Sequence, residues 1–285
     1  MTYIEIIVTA SEESRDALIS KMSEMGAIGF VEQDEGVIGY FEPKQSPAEI
    51  CDELGRFKPL LEASGLDASF SLTHNVLPEK DWNETWKKNF TPIDVGDNLT
   101  IIPSWLQSAT NRIPIIIDPG MVFGTGHHET TRTCLCMIEK IARSGSKKSF
   151  LDIGTGTGIL AIGAARLGFE QVIALDIDPL AVDAAQRNAE ANSLNNIEVL
   201  EGTIGAVNSR FDLIAANLLV EILIGIAPEL SDRLQPGGRA ILSGLLIGQE
   251  NSVIEAMASS GLHLQEKIID GKWVSLVMTK QQKRL

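Results

Sequence analysis

Aromatic side chains are scarce in this chain, at 5% of 285 residues, and cysteine is scarcer still, at three. Cys51, Cys134 and Cys136 form no even disulfide framework, and Cys134-x-Cys136 lacks the second pair that a zinc site needs. They read as small apolar side chains in a reducing compartment. No apolar run approaches the roughly 18 residues of a membrane span. The opening Met1-Thr2-Tyr3-Ile4-Glu5 lacks the basic-then-apolar pattern of a secretory leader. A cytoplasmic protein with no membrane association is expected. Positive charge is also short: 24 Lys and Arg stand against 38 Asp and Glu, a net charge of −14. Such a surface repels phosphate backbones, which disfavours direct DNA or RNA binding, and it suits a cationic partner. Residues 1–75 carry 14 acidic and 5 basic side chains, so this short stretch holds most of the excess. Solubility alone is the plainer reading of that charge.

What is present is a hydrophobic share of 44%, enough for a packed core and for one large domain beside a small one. Residues 3–8 are β-branched and aromatic and read as a strand. Ser11 followed by acids predicts a capped helix, with Ala17, Leu18, Met22 and Met25 at helical spacing and Gly26 ending it. Two strands follow, at 27–32 and 37–41. A second helix starts at Ser46-Pro47 with Leu54, Leu60 and Leu61 inward, and a short strand lies at 68–73. The order β-α-β-β-α-β is the α+β ferredoxin-like unit, assigned here to residues 1–75. Residues 76–95 read as a linker helix, with Trp82 and Trp86 on one face, either anchoring it or lining a way in for substrate. From 96 to 285 short apolar strands alternate with helices, which argues for a Rossmann-like α/β domain around a parallel sheet.

Three segments carry chemistry. In Phe150-Leu151-Asp152-Ile153-Gly154-Thr155-Gly156-Thr157-Gly158-Ile159-Leu160 an apolar strand enters a turn with Gly154, Gly156 and Gly158 at alternate positions, and a helix follows. The glycines let a ligand lie against backbone, and the helix start offers free N–H groups. Asp152 can receive a ligand ammonium, directly or through water, whereas a dinucleotide pyrophosphate would be repelled by it. The strand 172–176 ends in Asp176, placed to accept both ribose hydroxyls. Ribose together with ammonium points to S-adenosylmethionine rather than NAD, and no Tyr–Lys or His pair for hydride transfer is evident. Asp178 before Pro179 fits a helix cap.

The second segment is the glycine-rich run 118–131, which contains Phe123 and can fold over a bound cofactor. Thr130 and Thr131 stand near a helix start, where a hydroxyl reaches a carboxylate or caps the helix; for Thr130 alone, capping is the expected role. His127, His128 and Glu129 suggest a metal, but adjacent histidines splay apart and no further ligand is spaced to join them. No metal is expected. In the third segment, strand 211–216 runs into Asn217. Its amide oxygen can orient an incoming amine, which would make it the catalytic residue; a plain helix cap is the alternative.

Taken together these segments resemble the bacterial methyltransferases of ribosomal protein L11, the PrmA type. The resemblance covers nearly the whole chain. It rests on Asp-Trp-x-x-x-Trp-Lys at 81–87, Asp-Pro-Gly-x-x-Phe-Gly-Thr-Gly-x-His at 118–128 and Thr-Thr at 130–131. It rests also on Asp-x-Gly-x-Gly-x-Gly-Ile-Leu-Ala at 152–161, Asp-Ile-Asp-Pro at 176–179 and Ala-Asn-Leu at 216–218. It implies a class I S-adenosylmethionine-dependent methyltransferase domain and an N-terminal domain that recognises basic ribosomal protein L11, free or on the ribosome. It also implies methylation of lysine side chains and the N-terminal α-amine. Thr131, Gly154, Asp176 and Asn217 are then cofactor contacts, with Asp152, Gly156, Phe123 and Thr130 beside them. The family usually has Thr, His and Pro where this chain has His127, His128 and Glu129. The Ala-Asn-Leu-Leu run lacks the Pro-Pro of amide-nitrogen methyltransferases, which argues against Gln or Asn as acceptors. The lysine methyltransferases of electron transfer flavoprotein share the catalytic motifs and are the alternative.

Overall fold

The computed structural model describes residues 2–33, 35–44, 46–78, 91–106, 110–118, 124, 126 and 128–281. The chain divides into two compact units, 1–90 and 91–285.

The first unit contains β1 (Thr2–Thr9), α1 (Glu12–Glu24), β2 (Ala27–Gln33), β3 (Gly36–Phe41), α2 (Pro47–Gly55), α3 (Lys58–Ala63) and β4 (Ser71–Pro78). Its sheet runs β2-β3-β1-β4, with β1 antiparallel to both neighbours. This is the ferredoxin-like topology. Alternate residues Ile4, Ile6 and Val8 point into a core shared with Leu18, Met22, Ile50 and Leu54. Ser11 holds the cap position of α1 with extended backbone, but its hydroxyl makes no cap bond. Ser46 does cap α2, in a reciprocal pair with Glu49.

Two expectations shift. The second helix is broken in two, because Pro59 lacks an N–H and its ring clashes with the carbonyl four residues back. The break turns Leu60 outward, to 59% exposure, while Leu54 and Leu61 stay buried. The last strand also begins later than 68: Asp67 Oδ1 accepts the Ser69 N–H at 2.8 Å and the Phe70 N–H bonds the Ala68 carbonyl, so 67–70 is a turn. Both ends of the stretch read as a linker helix are strand, 76–78 in β4 and 93–95 in the second unit. Trp82 and Trp86 lie outside the described residues.

The second unit opens with β5 (Ile93–Val95), β6 (Leu99–Pro103) and β7 (Ile113–Ile117), which form a sheet of their own rather than joining the main one. The main elements follow: α4 (Glu129–Ala142), β8 (Ser149–Ile153), α5 (Ile159–Arg166), β9 (Gln171–Asp176), α6 (Pro179–Ala191), β10 (Ile197–Glu201) and β11 (Phe211–Asn217). The chain then forms α7 (Val220–Gly225), α8 (Ala227–Arg233), β12 (Leu234–Leu246), α9 (Glu250–Ser259), β13 (Leu262–Asp270) and β14 (Trp273–Lys280). The seven-stranded sheet has the order β10-β9-β8-β11-β12-β14-β13, parallel except for β14. From β8 the chain winds outward through β9 to β10, then returns to the other side of β8 as β11. That reversal opens a crevice beyond the carboxyl ends of β8 and β11. One core layer packs Phe150, Ala174, Leu213 and Ile241 under α4 and α5; the opposite layer packs Leu151, Ile214 and Leu242 under α8 and α9. Among the described residues no helix is long and apolar enough to cross a membrane. Of the cysteines, Cys134 is buried, Cys51 is partly buried and Cys136 is exposed, so only Cys134 sits as a fully buried apolar side chain.

Glu139 ties the small sheet to α4. Its nearly buried carboxylate accepts the Asp97 N–H at 2.8 Å and the Asn98 amide at 2.6 Å, and it meets Arg143 at 3.2 Å. Glu139→Ala should strand these donors and lower stability by about 2–4 kcal/mol, measured by urea unfolding.

Candidate active site

At the carboxyl end of β8, Gly154, Gly156 and Gly158 have φ of +70°, +55° and +82°. These left-handed values favour glycine. The neighbours also crowd side chains: a Cβ on Gly154 would lie 2.4 Å from Leu218 Cδ2, and one on Gly158 would lie 3.1 Å from the Ala185 backbone. The turn is pinned from β9, since the Gly154 and Thr155 N–H groups both donate to the Leu175 carbonyl at 2.9 Å.

Two predicted carboxylates complete the turn in different ways. Asp176 is half-buried; Oδ2 accepts the Gly156 N–H at 2.9 Å and Oδ1 the Asp178 N–H at 3.1 Å. Each oxygen keeps a lone pair for a further donor. Asp178 caps α6 through the Leu180 N–H at 2.9 Å. Asp152 is fully buried. Its Oδ2 accepts the Thr155 hydroxyl at 2.7 Å and the Ala161 N–H at 3.2 Å. Gly158, the cap residue of α5, has no side chain, so Asp152 performs the capping from the preceding strand. Asp152 Oδ1 has no partner among the described residues. Burial pushes this carboxyl up to about 7, against the pull of the Thr155 and Ala161 bonds; the charge of Asp176 adds slightly.

The third wall is Asn217, at the carboxyl end of β11. Its Nδ2 donates to Thr130 Oγ1 at 3.0 Å. Thr130 is not the cap of α4: it stands inside the first turn, where its own N–H needs an acceptor, and His128 Nδ1 accepts that N–H at 3.3 Å. With Nδ1 as acceptor, the Thr130 hydroxyl donates to the same nitrogen at 2.7 Å. Trp273 packs edge-on against the His128 ring at 4.8 Å. This chain of bonds turns the Asn217 amide so that Nδ2 faces the helix, and among the described residues Oδ1 has no hydrogen-bond donor. Gly244, at φ +87°, admits the amide; a Cβ there would lie 3.2 Å from Asn217 Oδ1 and 2.6 Å from the Leu218 carbonyl oxygen. The hydroxyl of Thr131 is buried without a hydrogen-bond partner among the described residues. Glu129 lies in the first turn of α4, where the helix dipole favours an acid, and it faces Arg132 at 3.9 Å. Phe123 and His127 lie outside the described residues. Among the described residues no group of three or more His, Cys, Asp or Glu side chains could hold a metal ion.

Three participants escaped the sequence reading. Thr157 donates its hydroxyl to the Gly124 carbonyl at 2.5 Å, and Asn188 reaches the same turn through the Thr157 carbonyl at 2.8 Å. His128 was weighed only as a metal ligand. The alternation Gly-Thr-Gly-Thr-Gly holds a signal for Thr157, but nothing local marks Asn188.

These residues suit an adenosyl amino acid. Asp176 has acceptors left for a ribose diol, the glycine turn admits the ligand against backbone, and the unpaired Thr131 hydroxyl lies where the α4 N–H groups favour a carboxylate. Strand order, turn and acidic β9 end define a class I methyltransferase, whose methyl donor is S-adenosylmethionine. The model of the ribosomal protein L11 methyltransferase (PrmA) family matches residues 2–281, and the chain belongs to that family. The ribosomal protein L11 methyltransferase of Chloroflexus aurantiacus is 41% identical, covering 73% of this chain and 71% of its own. That of Pelotomaculum thermopropionicum is 34% identical over 97% of this chain and 98% of its own. The crystal structure of the ribosomal protein L11 methylase from Lactobacillus delbrueckii subsp. bulgaricus superposes with a TM-score of 0.61 at 31% identity, covering 68% of this chain and 99% of that one.

The Asp152 environment has a pH consequence. Its folded value is raised above the ordinary carboxylate range, so between about pH 4 and 7 the native state holds a proton that the unfolded state has lost. This contribution to stability is full below that window and fades as pH rises through it. Asp152→Asn lacks the titration, so urea midpoints of the variant should gain on those of the native protein from about pH 5 to 8.

Proposed function

We propose that the protein methylates amines of ribosomal protein L11: lysine side chains and the N-terminal α-amine. One observation carries this reading. Asn217 ends β11 beside the glycine turn that ends β8, with Nδ2 engaged by Thr130 and Oδ1 without a hydrogen bond among the described residues. A fixed acceptor at that point suits an N–H donor, so an amine is the acceptor group that this wall can orient.

Bound at the crevice, S-adenosylmethionine supplies a methyl carbon already activated by a sulfonium. The work left to the chain is to hold the donor and to present an uncharged nitrogen. Asp176 and the turn 154–158 hold the ribose side, and Thr131 holds the amino acid side. Taking a proton from lysine at pH 7 costs about 4.6 kcal/mol, since its pKa is near 10.4; an α-amine near 8 costs less. Removal from water beside a cation lowers that cost. The proton goes to water before the nitrogen meets Asn217 Oδ1, and no side-chain base is required. Orientation by the amide then supplies most of the rate. Residues 1–75, with net charge −9, are the part that meets the basic substrate, with the stretch 76–95 joining them to the methyltransferase part.

Incubation of the protein with S-adenosylmethionine and purified L11, followed by mass spectrometry, should show methyl groups on amines. L11 left unmodified would overturn the proposal. Asn217→Ala should reduce kcat by about 100-fold. Thr130→Val, nearly the same in shape, should reduce it by about tenfold, because the amide loses its orientation. In both variants the loss in kcat should exceed the loss in affinity for S-adenosylhomocysteine, measured by calorimetry. Raising salt from about 0.05 to 0.5 M should lower kcat/KM for L11 without weakening the cofactor product.

A further inference from the structure

Helix α6 carries the buried Asn188, and its C-terminal cap residue is the buried Asn192, four residues on; both face β7. Strand β7 pairs with β6 along one side. Along the other side the asparagine side chains replace a neighbouring strand. Asn192 Oδ1 accepts the Ile116 N–H at 2.9 Å, and its Nδ2 donates to the Ile116 carbonyl at 2.6 Å. Asn188 Oδ1 accepts the Asp118 N–H at 2.9 Å. The match is geometric: four helical residues rise about 6 Å, and two strand residues span about 6.6 Å.

Asn188 differs from Asn192 in one respect. Its Nδ2 does not return to β7 but donates to the carbonyl of Thr157, inside the glycine turn, at 2.8 Å. Thr157 is itself fully buried and donates its hydroxyl to the Gly124 carbonyl. Gly124 has φ +108°, and a Cβ there would lie 2.8 Å from Thr157 Oγ1. The glycine turn 154–158 is therefore tied to two described residues beyond β7: Asn188 bridges Asp118 to Thr157, and Thr157 bonds Gly124 directly. One turn before Asn188, Ala185 packs against Gly158. The α6 face thus sets the glycine turn and the start of the neighbouring loop as one body.

We propose that Asn188 is a positioning residue of the methyl-donor site. It acts through the Thr157 carbonyl and the Asp118 N–H to hold the glycine turn at the distance from Asp118 and Gly124 that the donor requires. It does not touch the transferred methyl group, so its influence falls on donor affinity and not on the transfer step. Asn192 bonds β7, the Asn188 carbonyl at 2.8 Å and Arg166 at 3.5 Å; none of its bonds goes to the glycine turn, and it carries no such role. The proposal rests on the glycine turn being the donor site; binding of S-adenosylhomocysteine by the unaltered protein tests that reading separately.

The test compares full-length Asn188→Ala, Asn192→Ala and Thr157→Val by calorimetry with S-adenosylhomocysteine, by kcat and KM for S-adenosylmethionine, and by thermal unfolding. Asn188→Ala and Thr157→Val should weaken S-adenosylhomocysteine by about tenfold and raise KM for the donor alike, with kcat at saturating donor within about twofold of native. Asn192→Ala should lower the melting temperature but keep affinity within about twofold. Equal loss of affinity in Asn188→Ala and Asn192→Ala would reduce Asn188 to a structural role and overturn the proposal; so would native affinity in Asn188→Ala. If Asn188→Ala does not fold, Thr157→Val decides alone: unchanged affinity there refutes the stitch. No binding by the unaltered protein would instead remove the site assignment on which the proposal stands.

Discussion

A turn of three left-handed glycines has no reason of its own to keep one shape, and the whole site depends on what holds it. The Leu175 carbonyl takes two of its N–H groups and the Asp176 carboxylate takes a third. Both acceptors sit at the end of one strand, so the turn is referenced to β9 and not to the helix that follows it. That arrangement gives Asp176 a double duty. The carboxylate expected to meet ribose is also the one that shapes the turn, which places the two halves of the ligand in fixed relation before anything binds. The cost of ordering is met during folding rather than on binding, which is what preorganisation means in energetic terms.

Capping follows the same logic of displaced roles. Gly158 opens α5 because its φ of +82° and the closeness of Ala185 require glycine, yet glycine cannot cap. Asp152 does so from six residues upstream, fully buried, with one oxygen unpartnered among the described residues. A buried carboxyl with one free oxygen is an expensive solution, and its upward-shifted titration is the mark of that expense. At α4 the cap is His128, so Thr130 is free to face Asn217. In both places a residue released from capping, or barred from it, leaves the backbone geometry that the crevice needs.

Much of this was legible from the chain itself. The strand–glycine–helix run at 150–160, the acid ending β9 and the asparagine ending β11 are local patterns with local causes, and the structure brings all three to one crevice. The ferredoxin-like unit followed from periodicity, though Pro59 split its second helix and Asp67 delayed its last strand. Other features resisted reading because their partners are far apart in sequence. Asn188 meets Asp118 across 70 positions, and Glu139 meets Asp97 across 42. Nothing in the residues around Asn188 distinguishes it from a surface amide on a polar helix. Residues 99–103 and 113–117 carry the signature of strands, but periodicity does not say which sheet a strand joins. They form a separate three-stranded layer.

The sheet order also bears on synthesis. The final strand, β14, lies between β12 and β13, and β13 meets the sheet only through it. A nascent chain that has emerged through β13 therefore has an edge with no place to dock until the last segment arrives. Trp273, which steadies the His128 ring, belongs to that same late strand. The wall that starts at His128 is thus braced by a strand from far along the chain, and loss of β14 would take away both that brace and the edge on which β13 docks.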